Sequence, residues 1–145
     1  MHDPYDLQRF VDAQEPTFER AMEELRAGHK RSHWMWFIFP QLEGLGHSEM
    51  ACRYAITDRQ EALAYLAHPL LGPRLETSTR AVIELQGRGP REIFGTPDDL
   101  KLRSCMTLFA CVAPQWEVFQ QVLDGFYQGR GDAKTLALLG EDTDL

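Results

Sequence analysis

Between His33 and Gln41 the chain runs Trp-Met-Trp-Phe-Ile-Phe-Pro, with six consecutive apolar residues of which four (Trp34, Trp36, Phe37 and Phe39) are aromatic. No polar residue interrupts the run, so an element built from it has no face to offer water. The segment must lie inside, where every peptide N–H and C=O needs a partner. The surrounding sequence has helical period, and Glu92-Ile93-Phe94 is the one weak candidate for a partner strand. The run therefore reads as a buried extended ribbon, whose peptide groups must pair with side chains, water or a ligand. That makes it the first place to look for a site. Phe39–Pro40 is open to either isomer, because X–Pro bonds carry only a small trans preference.

The flanking helices are read from spacing and caps. Phe18, Ala21, Met22 and Leu25 fall at i, i+3, i+4 and i+7 in the segment from Pro16 to Ala27, with Gly28 as its stop. A shorter helix from about Asp6 to Ala13 precedes it. Ser48 caps a helix through Tyr54, and Thr57 or Asp58 caps the next, each with an acid or amide three residues on. Pro73 would break a helix begun at Pro69, so that helix is expected to start near Gly72. Thr96, Pro97 and Asp99 make a Thr-x-x-Asp box before the stripe Leu102, Cys105, Met106, Phe109, Val112 and Ala113. Trp116 to Phe126 and a short helix capped by Asp132 follow. The expected fold is mainly α: a compact single-domain bundle of six to seven helices over residues 1–145, with one buried extended aromatic segment and residues 140–145 as a frayed tail.

Composition narrows the function classes. Fifteen Lys plus Arg against twenty-two Asp plus Glu give a net charge of −7, which argues against a nucleic-acid duplex or a polybasic membrane anchor as partner. No run approaches a membrane span, and MHDPYDLQRF lacks the pattern of a secretory signal. Cys52, Cys105 and Cys111 have no CxxC spacing and read as small buried thiols of a cytoplasmic protein. His29 and His33 stand at i, i+4 with no third ligand in view, so neither a metal nor a cofactor is expected.

Within this acidic chain, His29, Lys30, Arg31 and His33 concentrate positive charge just before the aromatic run, and Gly44 and Gly46 follow it in a loop that enters the Ser48 helix. A glycine loop at a helix start suits an anion, and aromatic faces beside it can sandwich a planar group. The candidate ligand-binding set is Lys30, His33, Trp34, Trp36, Phe39, Gln41, Gly44, Gly46, Ser48 and Tyr54. Lys30 would contact phosphate as a point charge. Three residues are candidate catalysts. Glu49 could work as general acid or base if the aromatics desolvate it, or simply sit as a helix-start carboxylate stabilised by the dipole. Lys101 lies one turn before Ser104, where a Lys–Ser pair could activate the hydroxyl; the alternative is a solvated lysine and a neutral serine.

Over HWMWFIFPQLEGLGHS, Arg53-Tyr54-Ala55-Ile56, His68 to Leu75, Ile93-Phe94-Gly95, DDLKLRSCMTLF and Phe126 to Leu139, the sequence resembles the domain-of-unknown-function 1810 family, sometimes labelled calpastatin-like. The resemblance implies no established activity, and the label implies a disordered inhibitor, unlike this well-striped chain. A more distant similarity is to small helical enzymes that handle ADP-ribose-like N-glycosides. Phe37-Ile38-Phe39-Pro40 and Ser48-Glu49 match their order, but the lysine closing their motif is missing and Arg53 is the only base in that turn. Two functions are carried forward: a small-molecule pocket protein or hydrolase acting on a nucleotide or ADP-ribose-like N-glycoside, and a non-catalytic protein–protein interaction module.

Overall fold

The computed structural model describes residues 3–140. Among them stand ten helices: α1 Gln8–Gln14, α2 Phe18–Ala27, α3 Met35–Ile38, α4 Glu49–Arg53, α5 Arg59–Ala67, α6 Leu71–Ile83, α7 Pro90–Phe94, α8 Asp98–Val112, α9 Glu117–Phe126 and α10 Ala133–Leu139. The count exceeds the expected six to seven because the chain uses single helical turns as connectors. The expected tail beyond Gly140 lies outside the described residues. None of these helices is long and apolar enough to cross a membrane.

Most boundaries follow from local chemistry. Gly28 ends α2 in the left-handed conformation at φ 77°, which glycine adopts without steric cost. Ser48 accepts from the Ala51 amide at 3.1 Å, and Asp58 accepts from the Glu61 amide at 3.0 Å. Asp132 accepts from both the amide and the hydroxyl of Thr135 at 2.9 and 2.7 Å. The start of α8 corrects the expected Thr96 cap. The Asp99 amide bonds the Gly95 carbonyl and the Leu100 and Lys101 amides bond the Pro97 carbonyl, so backbone oxygens take the donors a Thr96 hydroxyl would have met. Pro97 occupies the cap position after a cis bond from Thr96, and Phe39–Pro40 is trans. Pro73 falls at the third position of α6, where a missing N–H costs nothing. At Gly72 an added Cβ would lie 2.1 Å from the Leu66 carbonyl oxygen, so glycine is what lets α6 start this close to the end of α5.

The aromatic run is not an extended ribbon. Met35–Ile38 form one helical turn, with the Ile38 amide bonded to Trp34 O and the Phe39 amide to Met35 O, each at 3.1 Å. With no strand available alongside, coiling satisfies these amides within the segment itself. The proposed partner, Glu92 to Phe94, is likewise helical, in α7. Among the described residues the one β-bridge pairs Leu42 with Ile56, just beyond the aromatic run. The polar requirement foreseen for the run survives in one place. The Phe37 carbonyl accepts from Gln14 Nε2 at 2.7 Å, and the same amide nitrogen donates to the Tyr65 hydroxyl at 3.0 Å.

Trp34, Met35, Ile38 and Phe39 are buried, and Trp34, Phe39 and Phe94 meet as a triangle of rings with centroids 6.2–6.5 Å apart. The fifteen-residue α8 passes beneath them and packs against α3, α5, α7, α9 and α10. Its Leu102, Cys105, Met106, Leu108 and Phe109 are all fully enclosed, which removes about 1.5–3 kcal/mol of apolar exposure per large side chain. Burial pushes the Cys105 thiol up from its ordinary range. Cys52 corrects the expectation of three buried thiols: it is exposed on α4, and Cys111 is half-buried.

Candidate functional site

The glycine bend, the N-terminus of α8 and the N-terminus of α10 enclose a cavity of about 410 Å³. Gln41, Leu45, Gly46, His47, Ser48 and Ala51 form one wall; Pro97, Leu100, Lys101 and Ser104 form the second; Asp132 and Lys134 close the third. The bend takes this path because Gly44 sits at φ 101°, a region a side chain rarely enters, and Gly46 lies so close to α4 that an added Cβ would come within 2.7 Å of the Ala51 methyl. Just upstream, the Leu42–Ile56 bridge pins the loop, with the Glu43 and Ile56 amides each donating at 2.8 Å.

Charge in the cavity is organised by Asp98. One oxygen pairs with Lys30 at 2.9 Å and the other with Lys101 at 3.5 Å. The Lys30 side chain is 7% exposed, lies 5.0 Å over the Trp34 ring and donates to the Ser32 carbonyl at 2.7 Å. It is thus committed to the interior. Lys101 keeps 27% of its surface and lies 5.5 Å over the Trp36 ring. Among the described residues Asp132 is the one carboxylate in the lining, and its Oδ2 is occupied by the cap of α10. Among the described lining residues, Lys101 and Lys134 therefore give the wall a basic bias within an acidic chain.

The sequence-derived candidates divide into groups. Gln41, Gly46, Ser48, Lys101 and Ser104 converge on the cavity. Trp36, Gly44 and Tyr54 border an adjoining recess of only about 10 Å³, room for a single water at most. Trp34 and Phe39 are core, Tyr54 is buried against Phe10 and Phe37, and Lys30 is held by Asp98. His33 and Glu49 are exposed and line neither space. No aromatic ring lines the larger cavity, so the foreseen stacking platform is not part of it. Lys101 and Ser104 share the wall without bonding each other; the Ser104 hydroxyl donates to Leu100 O at 3.1 Å. Among the described residues no three His, Cys, Asp or Glu side chains gather as a metal set.

Sequence reasoning missed Lys134 and Asp132, which reach the site from the far end of the chain, and, away from the cavity, Glu24. Glu24 accepts from the Arg31 and Ser32 amides at 2.8 and 3.0 Å, from the Ser32 hydroxyl, and from Trp34 Nε1 at 2.9 Å. Partial burial by itself would push its carboxyl up, but the Ser32 hydroxyl and amide, the Arg31 amide and the Trp34 indole outweigh burial and hold it at about 2. The folded chain thus binds this proton more weakly than the unfolded chain, so the contribution is complete above about pH 4.5 and is lost as pH falls through about 2. Allowing for screening at a partly exposed group, it amounts to about 2 kcal/mol. Glu24→Gln is expected to lower stability at pH 7 by that amount and to flatten the acid limb of a circular-dichroism unfolding curve; superimposable acid limbs would refute the assignment.

Comparison with known proteins gives a consistent picture. The crystal structure of the conserved hypothetical protein Rv1873 from Mycobacterium tuberculosis superimposes with a TM-score of 0.94 at 55% sequence identity, covering 97% of this chain and 100% of that one. No curated protein matches the chain. The family model described as "Protein of unknown function (DUF1810)" matches residues 4–139, which takes in the aromatic turn, the glycine bend and the two helix starts around the cavity, and the chain belongs to that family.

Proposed function

We propose that this protein binds a small phosphate-bearing organic anion, nucleotide-like in class, in the cavity at the glycine bend. The observation that carries the reading is convergence: Gln41, Gly46 and Ser48 from one segment meet Lys101 and Ser104 from another, about fifty residues on, with Lys134 completing a basic wall in a chain of net charge −7. Ser48 uses an oxygen lone pair to cap α4, which leaves its hydroxyl proton for an acceptor in the cavity. Two lysines and a hydroxyl suit phosphate oxygens as point donors. A volume of about 410 Å³ is within the range of small-molecule pockets.

Binding is favoured over N-glycoside hydrolysis. That chemistry needs a carboxylate poised beside the scissile bond. Glu49 lies outside the lining, and Asp132 has its Oδ2 engaged as the cap of α10. Lys101 makes the contacts of a cation, to Asp98 and to the Trp36 ring, rather than those of a base beside Ser104.

ADP-ribose is the first probe, with pyrophosphate and ribose as its separated parts. ADP-ribose is expected to raise the melting temperature in a saturable way, pyrophosphate less so and ribose not at all. Lys101→Met and Lys134→Met should each weaken calorimetric affinity about tenfold, the loss of roughly one charge-assisted contact. Absence of any shift with ADP-ribose and pyrophosphate at millimolar concentration, or parental affinity in both variants, would overturn the reading.

A further inference from the structure

A second and larger cavity, about 630 Å³, lies between α8, α9, α10 and the Gly129–Gly131 turn, and it shares no lining residue with the first. Its polar part is basic. Arg103 and Arg130 both line it, and among the described residues no carboxylate does and neither arginine is ion-paired. The Arg103 guanidinium is held in place rather than loose. Its Nε donates to the Arg130 carbonyl at 2.9 Å and its plane lies 5.7 Å from the Tyr127 ring centre. Fixing Nε in this way leaves the two terminal nitrogens as a pre-aimed fork of the kind that takes a carboxylate or phosphate. Three acids neighbour lining residues along the chain, and of these Asp132 is engaged through Oδ2 as the cap of α10. Asp124 accepts from Gln120 Nε2 at 3.0 Å at the rim, and the Asp99 carboxylate, one turn before Arg103, lies outside the lining with its Oδ1 buried and unpartnered.

Ala110, Leu123, Ala133 and Leu136 give the wall an aliphatic portion, beside the polar Thr107 and Gln120. Two arginines in the lining, with an aliphatic portion beside them, match a ligand with an anionic head and an apolar body. The volume fits a molecule of that kind and exceeds what inorganic phosphate would fill. We propose that this cavity is a second binding site, independent of the first, for an amphipathic organic anion whose carboxylate or phosphate head is taken by Arg103 and Arg130.

The test uses the full-length folded protein with octanoate, octyl phosphate and octanol as probes. Binding is followed by displacement of 8-anilinonaphthalene-1-sulfonate and by calorimetry. Octanoate or octyl phosphate is expected to bind at least tenfold more tightly than octanol, and whichever is tighter identifies the head group. Arg103→Gln combined with Arg130→Gln should abolish that preference while circular dichroism stays native. Filling the apolar end by Ala110→Leu should weaken both anions without removing their advantage over octanol. Lys101→Met should leave octanoate and octanol affinities unchanged, which separates this site from the first. Equal binding of octanol and the anions, retention of the preference in the double variant, or no binding of any probe would overturn the proposal.

Discussion

Trp34→Ala is expected to destabilise the protein by about 3–5 kcal/mol, the range for deleting a fully enclosed large aromatic side chain. Trp34 is 0% exposed, and its ring meets Phe39 and Phe94 on one side and the Lys30 ammonium on another. Removing it opens a void in the ring cluster, strips one donor from Glu24 and takes away the surface that holds Lys30 against Asp98. Against a total stability of about 5–15 kcal/mol, such a loss lowers the melting temperature by roughly 10–15 °C. Trp34→Phe keeps a ring but not the indole N–H, so it should lose about 1–2 kcal/mol, mostly the charge-assisted bond to Glu24. Urea denaturation at pH 7 checks both. A Trp34→Ala variant within 1 kcal/mol of the parent would mean that the ring is not an anchor of the fold.

That side chain also marks where the sequence could be read and where it could not. Caps are local, so Gly28, Ser48, Asp58 and Asp132 were legible from residue type and spacing, and each stands where its chemistry places it. The apolar composition of the aromatic run dictates a largely interior position, with Trp36 half-buried, but does not dictate its backbone. A helix of four residues is barely one turn, too short to display a period of 3.6, and an element buried on every side has no polar face to reveal a period at all. The same brevity hid α7 behind a strand-like Glu-Ile-Phe. The cavity was half legible. Lys101 and Ser104 could be paired because they share a helix face, and the glycine bend announced itself. Which elements meet across a cavity is a matter of tertiary packing, so nothing local links Lys134 to Ser48, or marks Gln14 and Glu61 as polar residues that the interior encloses.

Glu61 carries the second large effect. Its carboxylate side chain is 2% exposed and pairs with Arg9 at 2.9 Å, while also accepting from the Thr57 amide and hydroxyl at 3.0 and 2.8 Å. Arg9 in turn donates to the carbonyls of Tyr5, Asp6, Arg53 and Ala55 and lies 4.4 Å over the Phe10 ring. This one pair therefore fastens α1 to the end of α4, to the chain entering the Leu42–Ile56 bridge, and to the start of α5. A buried pair is costly to break because the surviving charge is left without compensation. Arg9→Met, which strands the more deeply enclosed Glu61, should cost about 4–5 kcal/mol. Glu61→Leu should cost about 3 kcal/mol, because Arg9 keeps its carbonyl partners and 16% of its surface. The double variant removes both charges and should cost less than the sum, with a coupling of at least about 2 kcal/mol in a urea double-mutant cycle. Additivity within about 0.5 kcal/mol would show that the pair does not act as a unit. The bridge that Arg9 steadies pins the glycine bend, so a loosened pair should also weaken ADP-ribose binding in the first cavity while leaving octanoate binding in the second untouched, a separation that no general loss of stability would produce.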